Sequence, residues 1–118
     1  MITVYGIPNC DTVKKARTWL TQHGIAHQFH DFKKQGVPEA ELDQWLSALG
    51  WEPLVNRKGT TWRKLDESTR ESVTDATSAR ALMLAQPSVI KRPVVHWQTA
   101  RPSSLTVGFD PAEWQGRL

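Results

Sequence analysis

Ile2-Thr3-Val4-Tyr5-Gly6-Ile7-Pro8-Asn9-Cys10-Asp11-Thr12-Val13-Lys14-Lys15-Ala16 contains two hydrophobic periodicities that change over at a cysteine. Ile2 to Tyr5 is a short, β-prone apolar run closed by Gly6 and Pro8, which reads as a buried strand followed by a turn. From Asp11 to His23 the apolar residues Val13, Ala16 and Leu20 recur at helical spacing, and Gly24 suits the left-handed stop of a helix. Ile25 to Asp31 returns to extended character. A strand, a helix and a strand within about thirty residues make a βαβ crossover, which implies parallel strands.

Cys10 is the sole cysteine of the chain, and it sits where the first strand hands over to the helix. A helix start presents unpaired N–H groups and a partial positive charge, and both favour thiolate over thiol. An unperturbed thiol titrates near ~8.5, whereas helix-terminal cysteines beside basic groups fall to roughly 3.5–7.5. The competing reading is a small buried hydrophobe, a frequent role of free cysteine. One cysteine excludes an intramolecular disulfide and any zinc or iron–sulfur site built on several thiolates.

The remaining composition is that of one soluble α/β domain spanning 1–118. Met1 to Tyr5 lacks the basic and apolar regions of a signal peptide, and no segment approaches the ~20 apolar residues of a membrane span, so cytoplasmic residence is expected. The net charge is +3, with basic groups at Lys14, Lys15 and Arg17, at Arg57, Lys58, Arg63 and Lys64, and at Lys91, Arg92 and Arg101. This modest excess suits an anionic small molecule; nucleic-acid binding calls for a denser basic stripe and a recognisable module. His23, His27 and His30 do not form a metal-ligand pattern, because Gly24 interrupts the helix and alternation in a strand sends His27 and His30 to opposite faces. The six tryptophans fit packing positions better than a stacking platform for bases.

Further along, Val37-Pro38 opens a second helix with an apolar stripe of Leu42, Trp45, Leu46 and Leu49, closed by Gly50. Thr60 or Thr61 is expected to cap a short helix containing Trp62 and Leu65. Thr74 to Gln86 reads as a helix with Ala79, Leu82, Met83 and Gln86 on one face and Pro87 beyond its end. Val94 to Trp97 and Leu105 to Val107 then form an antiparallel hairpin. Asp110-Pro111-Ala112-Glu113 starts a last helix as a capping box. The resulting order, βαβ, helical middle, ββα, with a cysteine at the first strand-to-helix turn and a proline before a later strand, looks like a thioredoxin-like fold. Its mixed four-stranded sheet would come from about 1–31 and 88–118, with a helical insertion at about 33–86.

Three segments carry a more specific resemblance: Ile7 to Ala16, Arg57-Lys58-Gly59-Thr60-Thr61-Trp62-Arg63-Lys64-Leu65, and Ile90-Lys91-Arg92-Pro93-Val94-Val95. Together they resemble the arsenate reductase (ArsC) family over essentially the whole chain. The small YffB-type members are nearest, and the Spx regulators are more distant. The resemblance implies that Cys10 is a nucleophile, that Arg92 and Arg101 bind an oxyanion or carboxylate, and that Pro93 is cis and borders the active thiol. Asn56 stands where the reductases carry an arginine, with Arg57 one residue later; adjacent side chains diverge, which weakens arsenate as the substrate. Lys14, four residues after Cys10 on the same helix face, is a further candidate for supporting the thiolate.

The expected function is that of a thiol reductase in which Cys10 attacks a disulfide, a glutathione mixed disulfide or an oxyanion. Val13 occupies the place of a second C-x-x-C cysteine, so a second thiol must come from outside. Glutathione is the natural co-substrate, with glutaredoxin as a further partner. No bound cofactor is expected. Glutathione carboxylates would pair with Arg92, Arg57 or Arg101 in a cleft between sheet and insertion. The alternatives are arsenate reduction and an Spx-like regulator that binds RNA polymerase without turnover.

Overall fold

The computed structural model describes residues 2–98 and 104–117. Four strands, β1 (Ile2–Gly6), β2 (His27–Asp31), β3 (Val94–Trp97) and β4 (Ser104–Val107), form one sheet in the order β2-β1-β3-β4. The crossover helix α1 (Asp11–Gln22) returns the chain so that β2 runs parallel to β1, with Ile2 opposite His27. β3 is antiparallel to β1, pairing Val95 with Val4, and β4 is antiparallel to β3. The sheet is therefore mixed, as the element order predicts. In the chain, a helical insertion separates β2 from β3.

Contacts divide the chain into two compact units, one running to Gln35 and resuming at Arg92, the other comprising Gly36–Lys91. In the sheet-bearing unit, strand alternation turns Ile2, Val4, Val95 and Trp97 to one face, where they pack with Ala16 and Leu20 of α1 and with Trp114. Trp114 belongs to the last helix, Pro111–Gln115. Its indole meets Trp97, Trp19 and Phe109 edge-on at ring separations of 5.0, 5.6 and 4.8 Å. Asp110 starts this helix by accepting the Ala112 and Glu113 N–H groups at 3.1 and 3.3 Å. Glu113 does not complete the capping box: its carboxylate pairs with Arg117 at 2.6 Å, one helical turn on. Arg117 also lies over the Trp97 ring, 5.4 Å from its centroid, and is thereby held beside Glu113.

Sequence periodicity did not predict the one-turn helix Phe32–Gln35 that follows β2. It is made by a reciprocal cap, in which Asp31 accepts the Lys33 N–H at 2.8 Å and the Gln35 side chain accepts the Asp31 N–H at 3.1 Å. Four residues are too few to show a period, so the signal lies only in the cap residues.

The insertion contains helices Glu39–Leu49, Thr60–Lys64, Glu67–Ser72 and Ala76–Ala85, then a 3₁₀ turn at Pro87–Val89. Leu42 and Trp45 are buried, and Gly50 ends the first helix with φ of 80°. Pro38 is extended and precedes that helix as its N-cap, and Gly59, rather than either threonine, caps the helix at Thr60. The helix expected from Thr74 begins at Ala76, because Asp75 and Ser78 cap each other there. Ala79, Leu82 and Met83 are buried, but Gln86 is an exposed C-cap. Arg80 ties the last long helix to the first through Asp43 at 2.7 Å and Glu39 at 3.2 Å. A bridge between Val55 and Ile90, flanked by Asn56 N–H to Val89 and Lys91 N–H to Leu54, closes the unit. No helix among the described residues is long and apolar enough to cross a membrane.

Candidate functional site

The loop from Gly6 to Cys10 is held by close packing at its root. A Cβ on Gly6 would lie 2.8 Å from a Val13 methyl, so the end of β1 approaches the first turn of α1 more closely than a side chain permits. Cys10 follows as the N-cap, with φ of −97° and ψ of 122°, and its carbonyl accepts the Lys14 N–H at 3.0 Å to begin α1. The cysteine is half-buried. Its sulfur is thus fixed at the helix's positive end while remaining partly open to a reactant.

Burial by itself raises the pKa of the Cys10 thiol, but the Val13 amide, the hydrogen bond and charge of the Arg92 side chain, and the Thr12 amide outweigh it. The net result is a thiol held below its ordinary value. Arg92 reaches this position because it immediately precedes Pro93 and the start of β3, and β3 pairs with β1 through Val94 and Tyr5. The Arg92–Pro93 bond is cis, Pro93 is buried, and its carbonyl accepts the Gly108 N–H at 2.9 Å. The Nε of Arg92 is buried.

Other sequence candidates fall elsewhere. Lys14 is exposed on α1 and borders a cavity there, while the groups acting on the thiol are Val13, Arg92 and Thr12. Arg57 belongs to the insertion, lies over the Trp51 ring 5.5 Å from its centroid, and sits 3.8 Å from Glu52. With Lys58 and Lys91 it lines a cavity of about 230 Å³. Asn56, in the same cavity wall, accepts the Lys58 N–H at 3.2 Å, so its side chain shapes the turn before Gly59. Arg101 lies outside the described residues.

Sequence reasoning missed Arg17. It stands three residues after Lys14, and only the pairing of β2 beside β1 shows what surrounds it: His27 at 3.5 Å and the Phe29 ring at 4.4 Å.

A mixed sheet of this order, a cysteine at the first helix start and a cis-proline before an adjacent strand define a thioredoxin-like α/β protein. Its family follows from comparison with known proteins. Residues 5–116 match the ArsC family model, and the chain belongs to the ArsC family. An uncharacterized protein of Haemophilus influenzae is 44% identical, covering 98% of this chain and 96% of its own. The global transcriptional regulator Spx of Streptococcus agalactiae is a more distant relative, 31% identical over 96% of this chain and 80% of its own. Among solved structures, the YffB protein superposes with a TM-score of 0.89 at 45% identity, covering 98% of this chain and 97% of its own. An arsenate reductase (ArsC) related protein from Brucella melitensis gives 0.74 at 53% identity, covering 98% and 92%.

Proposed function

We propose that this protein is a glutathione-dependent thiol reductase with Cys10 as its single nucleophile. The observation that carries this reading is the half-buried Cys10 sulfur, held toward its thiolate form by the Val13 amide and the Arg92 guanidinium. The Cys10 thiolate attacks the glutathione sulfur of a mixed disulfide. The old S–S bond breaks, the substrate leaves as a thiolate that takes up a proton, and Cys10 is left in a disulfide with glutathione. A second glutathione thiolate attacks that bond, giving oxidised glutathione and regenerating Cys10. Across the two exchanges the substrate sulfur is reduced to a thiol and one glutathione thiol is oxidised, because the glutathione of the mixed disulfide enters and leaves at the disulfide level. Because the chain contains no second cysteine, the regenerating thiol comes from outside it.

Arg92 supports the anionic sulfur at the start and end of each exchange, when charge is concentrated there. The test is turnover of a glutathione mixed disulfide by wild type and by Cys10→Ser, together with pH-dependent alkylation of Cys10. Wild type should turn over and Cys10→Ser should fall to the uncatalysed rate; equal rates would remove the nucleophile. Arsenate offered in the same assay with glutathione and glutaredoxin separates oxyanion reduction from disulfide exchange.

The similarity to Spx favours a second reading, a binding protein for RNA polymerase. Val13 in place of a second cysteine departs from the redox switch carried by many such regulators. A pull-down with purified polymerase decides it: a complex retained at physiological salt, together with an inert Cys10, would replace the enzyme reading.

A further inference from the structure

A cavity of about 380 Å³ runs along α1, lined by Pro8, Val13, Lys14, Arg17, Thr18 and Thr21, with Gln22 at its far end. We propose that it is an anion-binding subsite in which Arg17 anchors a carboxylate of a peptide-sized substrate. The volume lies in the range of small-molecule sites, roughly 300–1,000 Å³. Two cations and no carboxylate occur among its described lining residues, and the threonine hydroxyls and the Gln22 amide add neutral hydrogen-bonding groups. Two of its lining residues flank Cys10 in the chain, Pro8 two positions before it and Val13 three after.

Arg17 is oriented before any ligand arrives. The His27 Nδ1 lies 3.3 Å from the Ile25 carbonyl, which can only accept, so Nδ1 carries the proton and Nε2 accepts the Arg17 Nε–H at 3.5 Å. The guanidinium also lies over Phe29, 4.4 Å from the ring centroid. Among the described residues no carboxylate forms an ion pair with Arg17. With Nε engaged, the two Nη groups present the fork that grips a carboxylate through parallel hydrogen bonds. Lys14, by contrast, supplies an exposed point charge to the same cavity.

The inference rests on the thiol-reductase reading for its choice of ligand, a carboxylate-bearing peptide thiol. S-methylglutathione is a suitable probe because its thioether cannot exchange. Titrated into the wild-type protein and followed by amide NMR, it should shift Val13, Lys14, Arg17, Thr18 and Thr21. Arg17→Gln should weaken binding about tenfold, and Arg17→Lys should recover only part of that loss, as a point charge replaces a fork. Amidating the probe's carboxylates should weaken wild-type binding similarly and leave Arg17→Gln little affected. An unchanged thermal midpoint shows that Arg17→Gln still folds. Shifts confined to other residues, no binding, or equal affinity in Arg17→Gln would overturn the subsite. Failure of the catalytic reading is separately visible: an unreactive Cys10 beside Arg17-dependent binding removes the exchange chemistry and leaves the subsite.

Discussion

Arg92 hydrogen bonds to the sulfur of Cys10, although 81 residues of chain lie between them. The contact exists because β1 and β3 are antiparallel neighbours, so the loop leaving one and the Arg92–Pro93 segment entering the other meet at the same end of this central strand pair. Arg92→Ala should raise the thiol pKa, since it removes both a hydrogen bond to the anion and a cation. At pH 7, alkylation by neutral iodoacetamide should slow several-fold as the thiolate fraction falls. A rate profile that superposes on wild type would deny Arg92 this role.

The depressed pKa of Cys10 also links its ionisation to folding. The unfolded thiol has the higher pKa, so the unfolded state binds more protons between the two values and stability rises with pH there. The contribution is fully present above the unfolded pKa of ~8.5 and is lost as pH falls through the folded value. Relative to Cys10→Ser, wild type should therefore gain stability on passing from pH 6 to pH 9.5. Urea denaturation at both pH values measures the difference, and a constant offset would contradict the linkage.

Gly6→Ala should destabilise the protein by about 1–3 kcal/mol, the usual cost of overpacking, because its new methyl would meet Val13 at 2.8 Å. The strain falls on the first turn of α1, which supplies the Val13 amide to Cys10. The same variant should therefore alkylate more slowly at pH 7. Equal stability and equal reactivity would show that β1 and α1 can separate freely.

Trp114→Ala should cost about 3–5 kcal/mol, since the indole is buried among Trp97, Trp19 and Phe109. Asp110→Ala should cost about 1 kcal/mol by removing the acceptor for two helix-start amides. Chemical denaturation checks both. A larger loss at Asp110 than at Trp114 would reverse the order assigned to cap and core.

Local patterns made much of the fold legible. The alternation at Ile2 and Val4, the helical spacing of Val13, Ala16 and Leu20, and the stop at Gly24 give the βαβ unit because each signal lies within one element. The positions of Asp110 and Pro111 likewise identify the last helix, but the partner of Glu113 depended on where Trp97 holds Arg117. The turn at Phe32–Gln35 was too short for periodicity, and the 3₁₀ turn at Pro87–Val89 was hidden behind a proline that reads simply as a helix stop.

By itself, the sequence determined that one cysteine stands at the start of an amphipathic helix and that no second thiol in the chain can resolve it. That follows from residue order, because a helix start is a local property of its own backbone. Tertiary structure alone decided which charges act on that thiol and which line the neighbouring cavity. Strand pairing brings Arg92 to Cys10, while β2 beside β1 sets His27 and Phe29 around Arg17. Electrostatic interactions depend on distance through space, and only the folded sheet turns residues far apart in the chain into neighbours.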